Sequence, residues 1–277
     1  MVHLQAADGA SALIARHGGQ VLSWQPAGGT GEQLYLSPRS GFGGAQAIRG
    51  GVPVVFPQFS DRGPLPKHGF ARTSAWRVHA AHEDADGGAR AELQLVDDAQ
   101  TRALWPHAFA LALEVRVCGR LLEVALTCRN TGERPWQCTA ALHTYLRMHD
   151  STQAQLAGLG ARPYFDAVLA RDAVQHEALL RFPGEVDRVY AGVDAPLLLH
   201  DVGAAEPRSV QVEQRGFADV VVWNPGAQRC AALPDMPADG YRNMVCIEAA
   251  RIAQPIVLAA GQAWTGAQRL SLTVAAR

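Results

Sequence analysis

The stretch FALALEVRVCGRLLEVALTC, residues 109–128, decides the fold class. Apolar side chains occupy every second position from Phe109 to Val117, and the same alternation returns from Leu121 to Cys128. A period of two is typical of a strand with one buried face. The two runs flank the short turn Cys118-Gly119-Arg120, so the stretch predicts an antiparallel hairpin.

The rest of the chain repeats this pattern of short strands and close turns, and helical periodicity is scarce. A short helix is predicted from Asp98 to Trp105, with Asp97 or Asp98 as its cap and Pro106 as its stop. No βαβ units recur, so we predict an all-β fold, a large antiparallel β-sandwich forming one domain over residues 1–277. Arg39–Arg72 is rich in glycine and proline and is predicted to be a loop. Further strands are predicted at Gln20–Trp24, Glu32–Leu36, Trp76–Ala81, Ala89–Val96, Trp136–Met148, Ser209–Val212, Ala218–Trp223, Asn243–Ala249 and Ala263–Val274.

Composition excludes several functional classes. The chain has 277 residues, a net charge of −1 and 18 % charged residues, so no basic excess indicates a nucleic-acid partner. Its single lysine, Lys67, lies in PLPKHGF and outside any phosphate-binding P-loop motif, so an anion must be held by arginine, histidine or backbone N–H groups. No apolar run reaches 18 residues and no secretory signal is visible, so we expect no membrane span. Five cysteines without a C-x-x-C pair indicate a reducing, cytoplasmic setting and give no support for a metal site.

Two segments of the predicted loop could bind an anion. Arg49 precedes Gly50-Gly51, and two sterically open amides beside a guanidinium could form an oxyanion grip; a surface arginine before a tight turn is the alternative. The run from Lys67 to Arg72 groups cationic side chains: Arg72 could bind an anion bidentately and His68 could contact a hydroxyl. A solvated basic turn would have the same sequence.

Two strands carry residues suited to proton transfer. In ALHTYLR, residues 141–147, the alternation places Leu142 and Leu146 on one face and His143 and Tyr145 on the other, either lining a cleft or facing solvent. Glu248 is the one acid in the apolar strand 243–250, so it is either a general base with a raised pKa or an acid at a strand end.

The order of these motifs resembles that of the hexose-6-phosphate mutarotases, within the aldose 1-epimerase superfamily. The motifs are RGG-V-P…FP from Arg49, HGFAR from His68, LHTY around His143, DRVY from Asp187, then WNP and CIE. The resemblance implies a β-sandwich of the galactose-mutarotase type. It also implies interconversion of the α and β anomers of a hexose 6-phosphate, glucose 6-phosphate first, without metal or organic cofactor.

The resemblance also assigns roles. His143 and Glu248 match the catalytic pair, Arg49 and Arg72 match arginines at or near the phosphate, and Asp187 matches a sugar-binding aspartate. His68 lies where related mutarotases have a second substrate-contacting histidine. Lys67 is a candidate substrate contact beside it, and Trp223 a candidate platform for a sugar face. The sequence departs from the family pattern at Ala249 and Gly226, where a proline and a bulkier residue are frequent.

For the reaction we expect Glu248 to act as base and protonated His143 as acid. No large pKa shift is required for these roles, since the ordinary values of roughly 4.3 and 6.5 already have the required order. A monomer acting on a small sugar phosphate is expected. The alternatives are an epimerase of unphosphorylated aldoses and a non-catalytic carbohydrate- or sugar-phosphate-binding domain.

Overall fold

Antiparallel strands make up most of the computed structural model, which describes residues 1–44, 46–204 and 207–274. In chain order the strands are β1 (Val2–Gln5), β2 (Ser11–Ala15), β3 (Gln20–Gln25), β4 (Val54–Val55), β5 (Arg77–Glu83), β6 (Ala89–Val96), β7 (Phe109–Cys118), β8 (Leu121–Asn130), β9 (Trp136–Leu142), β10 (Tyr145–Arg147), β11 (Gln155–Ala157), β12 (Pro163–Asp166), β13 (Arg171–Val174), β14 (Leu179–Arg181), β15 (Val186–Tyr190), β16 (Leu197–Asp201), β17 (Arg208–Arg215), β18 (Asp219–Asn224), β19 (Met244–Leu258) and β20 (Ala263–Val274). Within these ranges the α-helices are α1 (Ala99–Leu104) and α2 (Gly226–Ala231), and single 3-10 turns occur at Ala71–Thr73, Ser151–Gln153 and Gly240–Asn243.

The described strands form two large sheets and one small one. The larger sheet runs β14-β11-β16-β17-β20-β8-β7-β6-β5, and its centre contains the predicted hairpin, with Cys118 opposite Leu121 across the turn. The second runs β13-β12-β15-β18-β19-β9-β4, with β10 also paired to β19. Strands β1, β2 and β3 form the small sheet.

The core lies between the two large sheets. Leu113 and Leu126 of the first sheet and Val222 and Ile247 of the second are fully buried in the same apolar cluster. Alternation in β7 therefore has a simple cause: odd-numbered residues face the opposite sheet and even-numbered ones face outward. This arrangement confirms the predicted antiparallel β-sandwich.

Most predicted strands are confirmed, with changes at their ends. Asp98 caps α1 through a capping box with Thr101, as the sequence predicts. Residues 32–36 are wrong as a strand, because only Leu34 and Leu36 make isolated bridges there. The strand predicted at Asn243–Ala249 begins at Met244 and extends to Leu258, with a register shift between Arg251 and Ile256. Strands β11 to β16 were not predicted, because they are short and show little alternation.

The predicted strand 136–148 is interrupted after Leu142, and the interruption affects His143. The His143 amide donates to the Pro53 carbonyl at 3.0 Å, and the Thr144 amide bonds back to the Leu142 carbonyl at 3.0 Å. Pairing then resumes in β10, where Tyr145 lies opposite Cys246 of β19. The backbone of His143 is therefore held by the long loop and not by a ladder partner.

That long loop, predicted over residues 39–72, contains only β4 and one 3-10 turn among its described residues; position 45 lies outside them. Gly50 and Gly51 have φ values of 117° and 61°, in the region that favours glycine. A Cβ on Gly51 would lie 2.0 Å from the Val21 carbonyl oxygen, so only glycine lets the loop approach β3 this closely.

The helices in the described part of the chain are too short and too polar to span a membrane.

Candidate active site

Three neighbouring strands of the second sheet place polar side chains on its outer face, away from the core. Asp187 of β15 lies opposite Trp223 of β18, and Glu248 of β19 lies opposite Val221 of β18. Side chains two residues apart share a face, so Asp187, Trp223 and Glu248 all project to the same side. The neighbouring residues Val222 and Ile247 point into the core instead.

These side chains form the floor of a cavity of about 450 Å³. All eight residues singled out in the sequence line it: Arg49, Lys67, His68, Arg72, His143, Asp187, Trp223 and Glu248. The fold therefore brings together residues that are up to 199 positions apart in the chain. The remaining lining residues are Phe59, Ser60, Asp61, Arg62, Phe165, Ala167, Val189, Val221, Arg229 and Leu233.

His143 and Glu248 meet at the floor of the cavity. The distance from His143 Nε2 to Glu248 Oε1 is 3.3 Å, and the residues are 8 % and 1 % exposed. Among the described residues, neither His143 Nδ1 nor Glu248 Oε2 has a hydrogen-bond partner. The pair therefore keeps one unoccupied polar atom on each side chain.

Burial changes the proton affinity of both groups. Desolvation raises the pKa of Glu248 well above its ordinary value and lowers the pKa of His143 well below its own, with the positive charges of Arg49 and Arg72 adding to the second effect. The acid and base roles did not require such shifts, and the sequence does not show that both side chains leave water. Two buried groups with these shifts favour a pair that carries a single shared proton.

The backbone behind the pair is fixed from the core side. Thr144, next to His143, donates its hydroxyl to Gln268 Oε1, and Gln268 Nε2 donates to the Ile247 carbonyl at 2.9 Å. One buried glutamine of β20 thus connects the neighbours of both cavity-floor residues.

His68 is a neutral donor beside the pair. Its ring centroid is 5.5 Å from that of His143, and its Nδ1 accepts the Ser60 amide at 3.2 Å, so the proton lies on Nε2. Desolvation, followed by the charges of Arg72 and Lys67, lowers the pKa of His68 to about 3. His68 has a φ of 65°, a conformation that is uncommon for a non-glycine residue.

Arg72 faces the cavity without a carboxylate at salt-bridge distance among the described residues. Its Nη2 donates to the Lys67 carbonyl at 2.7 Å, while its buried Nε has no partner there. Burial lowers the pKa of the Arg72 guanidinium, as expected for a cation that is partly withdrawn from water without a counter-ion at salt-bridge distance. Arg62, Lys67 and Arg229 line the same cavity and are exposed, together with one carboxylate, Asp61. Arg229 Nε lies 3.5 Å from Glu185 Oε1, so the outer side of the cavity keeps a net positive charge.

Arg49 is, by contrast, already engaged. Its Nε and Nη2 donate to the two carboxylate oxygens of Asp235 at 3.1 and 3.2 Å, and its Nη1 donates to the Tyr145 hydroxyl at 3.0 Å. The Gly51 amide donates to the Tyr35 carbonyl at 2.7 Å. The oxyanion grip considered for this segment is therefore wrong for Gly51, whose N–H already has a partner.

Asp187 is half-buried, and desolvation raises its pKa to about 6.

The sequence did not identify Arg62, Arg229, Tyr145 or Asp235 as site residues. Tyr145 shares the face of His143 and could have been found by the same alternation. Asp235 could not, because no local pattern connects it with an arginine 186 positions earlier.

The described part of the chain contains no cluster of three or more metal-ligating side chains. The sandwich that carries this cavity has the fold of galactose mutarotase-related proteins. The sequence profile of the aldose 1-epimerase family matches residues 1–271, and the chain belongs to this family. It is thus an isomerase of the class that interconverts sugar anomers.

Individual relatives agree with this membership. A protein of Escherichia coli (strain K12) named "Putative glucose-6-phosphate 1-epimerase" is 39 % identical over 242 residues, 86 % of this chain and 79 % of its own length. The crystal structure of a "putative mutarotase (YeaD)" from Salmonella typhimurium superimposes with a TM-score of 0.88 at 33 % identity, covering 96 % of this chain and 88 % of that one. A galactose mutarotase related enzyme from Lactobacillus acidophilus shares the fold, with a TM-score of 0.78 at 16 % identity over 99 % of this chain and 97 % of its own.

Proposed function

We propose that the protein interconverts the α and β anomers of glucose 6-phosphate, with Glu248 as base and His143 as acid. The observation that carries this proposal is the 3.3 Å contact between these two side chains at the floor of a cavity whose outer side is cationic. The printed name of the Escherichia coli relative supports the same substrate.

Anomer exchange needs two proton transfers at one carbon. Glu248 removes the proton from the C1 hydroxyl, His143 delivers a proton to the ring oxygen, the C1–O5 bond breaks and a C1 carbonyl forms. Rotation about C1–C2 and the reverse transfers close the ring on the other face. Both reacting oxygens are bonded to C1, so two side chains in contact with each other can serve both.

The pair needs one proton in total, placed on His143 at the moment of ring opening. The contact between Nε2 and Oε1 lets the proton move between the two groups before the sugar reacts. Burial then favours transfer in both directions, since a carboxylate with a raised pKa is a stronger base and an imidazolium with a lowered pKa is a stronger acid.

The remaining cavity residues hold the substrate in this proposal. Arg72, whose Nε lacks a partner among the described residues, binds the phosphate together with Lys67 and Arg229. His68 and Asp187 contact sugar hydroxyls, and Trp223 packs against a sugar face.

We further propose that the chain acts as one domain, as a monomer, in the cytoplasm. The segments that carry His143 and Glu248 pack against the other large sheet through one shared apolar core. This shared core supports a single folding unit. The five cysteines are all free thiols, which is compatible with a reducing compartment.

The test is exchange between anomers of glucose 6-phosphate followed by two-dimensional NMR. Glu248→Gln and His143→Asn should each reduce the catalysed exchange rate by roughly 10²–10⁴-fold. His79→Asn, which changes an exposed histidine on β5, is the matched control and should exchange like the wild type. Exchange near the wild-type rate in either cavity variant contradicts the assignment, and binding without exchange in the wild type favours a non-catalytic domain.

A further inference from the structure

We propose that Asp235 is a positioning residue for His143, acting through Arg49 and Tyr145. This inference deepens the proposed function and rests on it. Asp235 belongs to no motif that the sequence singled out, and it does not line the cavity.

The Arg49 guanidinium is held in a fixed position by Asp235. Asp235 binds Arg49 with both carboxylate oxygens, a two-point contact that sets the plane of the guanidinium as well as its place. The side chains of Arg49 and Asp235 are 21 % and 29 % exposed, so the ion pair is partly screened by solvent. We therefore attribute to this pair a geometric role more than a contribution to folding stability.

The loop that carries Asp235 is itself attached to the loop that carries Arg49. Ser37 donates its hydroxyl to the Asp235 carbonyl at 2.6 Å, and Ser40 accepts the Arg49 amide at 2.7 Å. Arg39 donates to the neighbouring Met236 carbonyl at 3.4 Å. The two ends of the ion pair are thus held relative to each other by independent contacts.

Tyr145 connects the Arg49 guanidinium to the His143 imidazole. Arg49 Nη1 donates to the Tyr145 hydroxyl, and the Tyr145 ring stacks on His143 with centroids 4.8 Å apart and planes 9° apart. Tyr145 is 2 % exposed, and its backbone pairs with Cys246 of β19, so its ring has little freedom apart from rotation about its own bonds. The hydrogen bond to Arg49 fixes the ring, and the stacked ring fixes the plane of His143.

Asp235 also balances charge near the pair. The titratable and charged groups around His143 are Glu248 and Cys246 on β19, His68 and Arg72 on the long loop, Tyr145 on β10, and Arg49. Without the Asp235 carboxylate, the Arg49 charge is uncompensated: it disfavours the imidazolium and favours the carboxylate of Glu248. Both limbs of the pH–rate profile should then move to lower pH.

The experiment compares Asp235→Asn with a matched control, Asp84→Asn. Asp84, in the turn between β5 and β6 of the other large sheet, makes the same two-point contact with Arg90, at 3.1 and 3.2 Å, and also accepts a bond from Arg116. We expect Asp235→Asn to lower kcat for glucose 6-phosphate about tenfold with KM within threefold of the wild type, and to move both limbs to lower pH. Asp84→Asn should leave kcat and the profile unchanged. Asp235→Glu, which restores the charge, should recover much of kcat.

Tyr145→Phe provides the second arm and covers the case in which Asp235→Asn does not fold. It keeps the stacked ring but removes the hydroxyl that contacts Arg49. If the three residues act in series, the fold-reduction in kcat of the Asp235→Asn/Tyr145→Phe double variant should be much smaller than the product of the two single fold-reductions. Wild-type kcat and profile in Asp235→Asn, or fully multiplicative effects in the double variant, would overturn the proposal.

An activity-independent readout separates this inference from the proposed function. The imidazole NMR signals of His143, assigned by their loss in His143→Asn, should shift in Asp235→Asn and not in Asp84→Asn. If the wild type has no exchange activity but the signals shift, the proposed function fails and the coupling stands. If the signals do not respond to Asp235→Asn, the coupling fails whatever the activity.

Discussion

At the scale of single residues, the site depends on how much water each group loses. Glu248 and His143 are nearly fully buried, and desolvation is the largest cause of the pKa shift in both. Arg72 and Arg49 are chemically identical, yet one lacks a carboxylate partner among the described residues and the other has Asp235. Identical side chains therefore take different roles because their neighbours differ.

The first residue-scale prediction concerns pH. With ordinary values, a pair carrying one proton would exist only between roughly pH 4.3 and 6.5, and the rate would decline above that range. The raised pKa of Glu248 moves the basic limb upward, and the lowered pKa of His143 moves the acidic limb downward. We expect kcat at saturating glucose 6-phosphate to stay level through pH 6.5 and above; a tenfold loss per pH unit beginning there would contradict the buried pair.

The second residue-scale prediction concerns Arg72. Arg72→Ala removes a guanidinium that has no carboxylate partner among the described residues and whose buried Nε is unpartnered there. KM for glucose 6-phosphate should therefore rise at least tenfold while any activity on free glucose changes little. Arg102→Ala, which changes an exposed arginine on α1, is the control. An equal loss on both sugars would show that Arg72 does not bind the phosphate and would favour an epimerase of unphosphorylated aldoses.

At the scale of elements, the site is built by one sheet face and one loop. Strands β15, β18 and β19 supply the floor because their register aligns residues of the same face. The long loop supplies Arg49, His68 and Arg72, and it can do so only because Gly50 and Gly51 let it lie against the backbone of Leu36 and β3. The sheet and the loop meet at His143, where the strand is interrupted and the His143 amide donates to the Pro53 carbonyl of the loop.

The element-scale prediction tests this close approach. Gly51→Ala places a Cβ 2.0 Å from the Val21 carbonyl oxygen at a φ of 61°, so both steric overlap and backbone strain oppose it. We expect a loss of about 2–4 kcal/mol in the free energy of unfolding, measured by urea denaturation. Gly184→Ala is the control, since a Cβ there has no heavy atom within 4 Å. Equal stability of the two variants would show that the loop can withdraw from β3 at no cost.

At the scale of the whole molecule, the sandwich separates stability from chemistry. The inner faces of the two large sheets hold the apolar core, and the cavity opens on the outer face of the second sheet. Polar side chains buried in that cavity lower the free energy of unfolding, because they give up water for incomplete partners. The cavity is therefore where substitutions can gain stability while they lose activity.

The molecule-scale prediction uses Asp187, whose pKa is raised to about 6 in the folded state from an ordinary value of 3.8. The folded state binds the proton more tightly than the unfolded chain, so stability is highest below pH 3.8 and falls as pH rises through 6. Asp187→Asn removes this loss. It should be more stable than the wild type by about 1–2 kcal/mol at pH 8, allowing for solvent screening, and the gain should shrink toward pH 4.

Thermal denaturation across pH 4–8 measures the effect. Asp172→Asn, at an exposed position of β13, is the control and should show no such trend. A gain that is the same at pH 4 and pH 8 would contradict titration of Asp187 as its cause.

The sandwich and eight of the residues that line the cavity could be predicted from the sequence, the cavity residues through their motifs. Alternation in 109–128 fixed which faces are buried, because side-chain direction in a strand depends only on parity. The same parity placed His143 and Tyr145 opposite Leu142 and Leu146, as the structure confirms. Arg147, which has the parity of His143, lines a separate pocket with Asp201 and Arg208, so parity alone does not decide which residues reach the cavity.

How these side chains act on one another depends on the folded chain and could not be predicted from local patterns. The contact between His143 and Glu248 spans 105 positions, and the one between Arg49 and Asp235 spans 186. Burial, and with it the direction of each pKa shift, depends on what packs above a side chain, which no local pattern records. Parity is a property of neighbouring residues, whereas desolvation and ion pairing belong to the assembled fold.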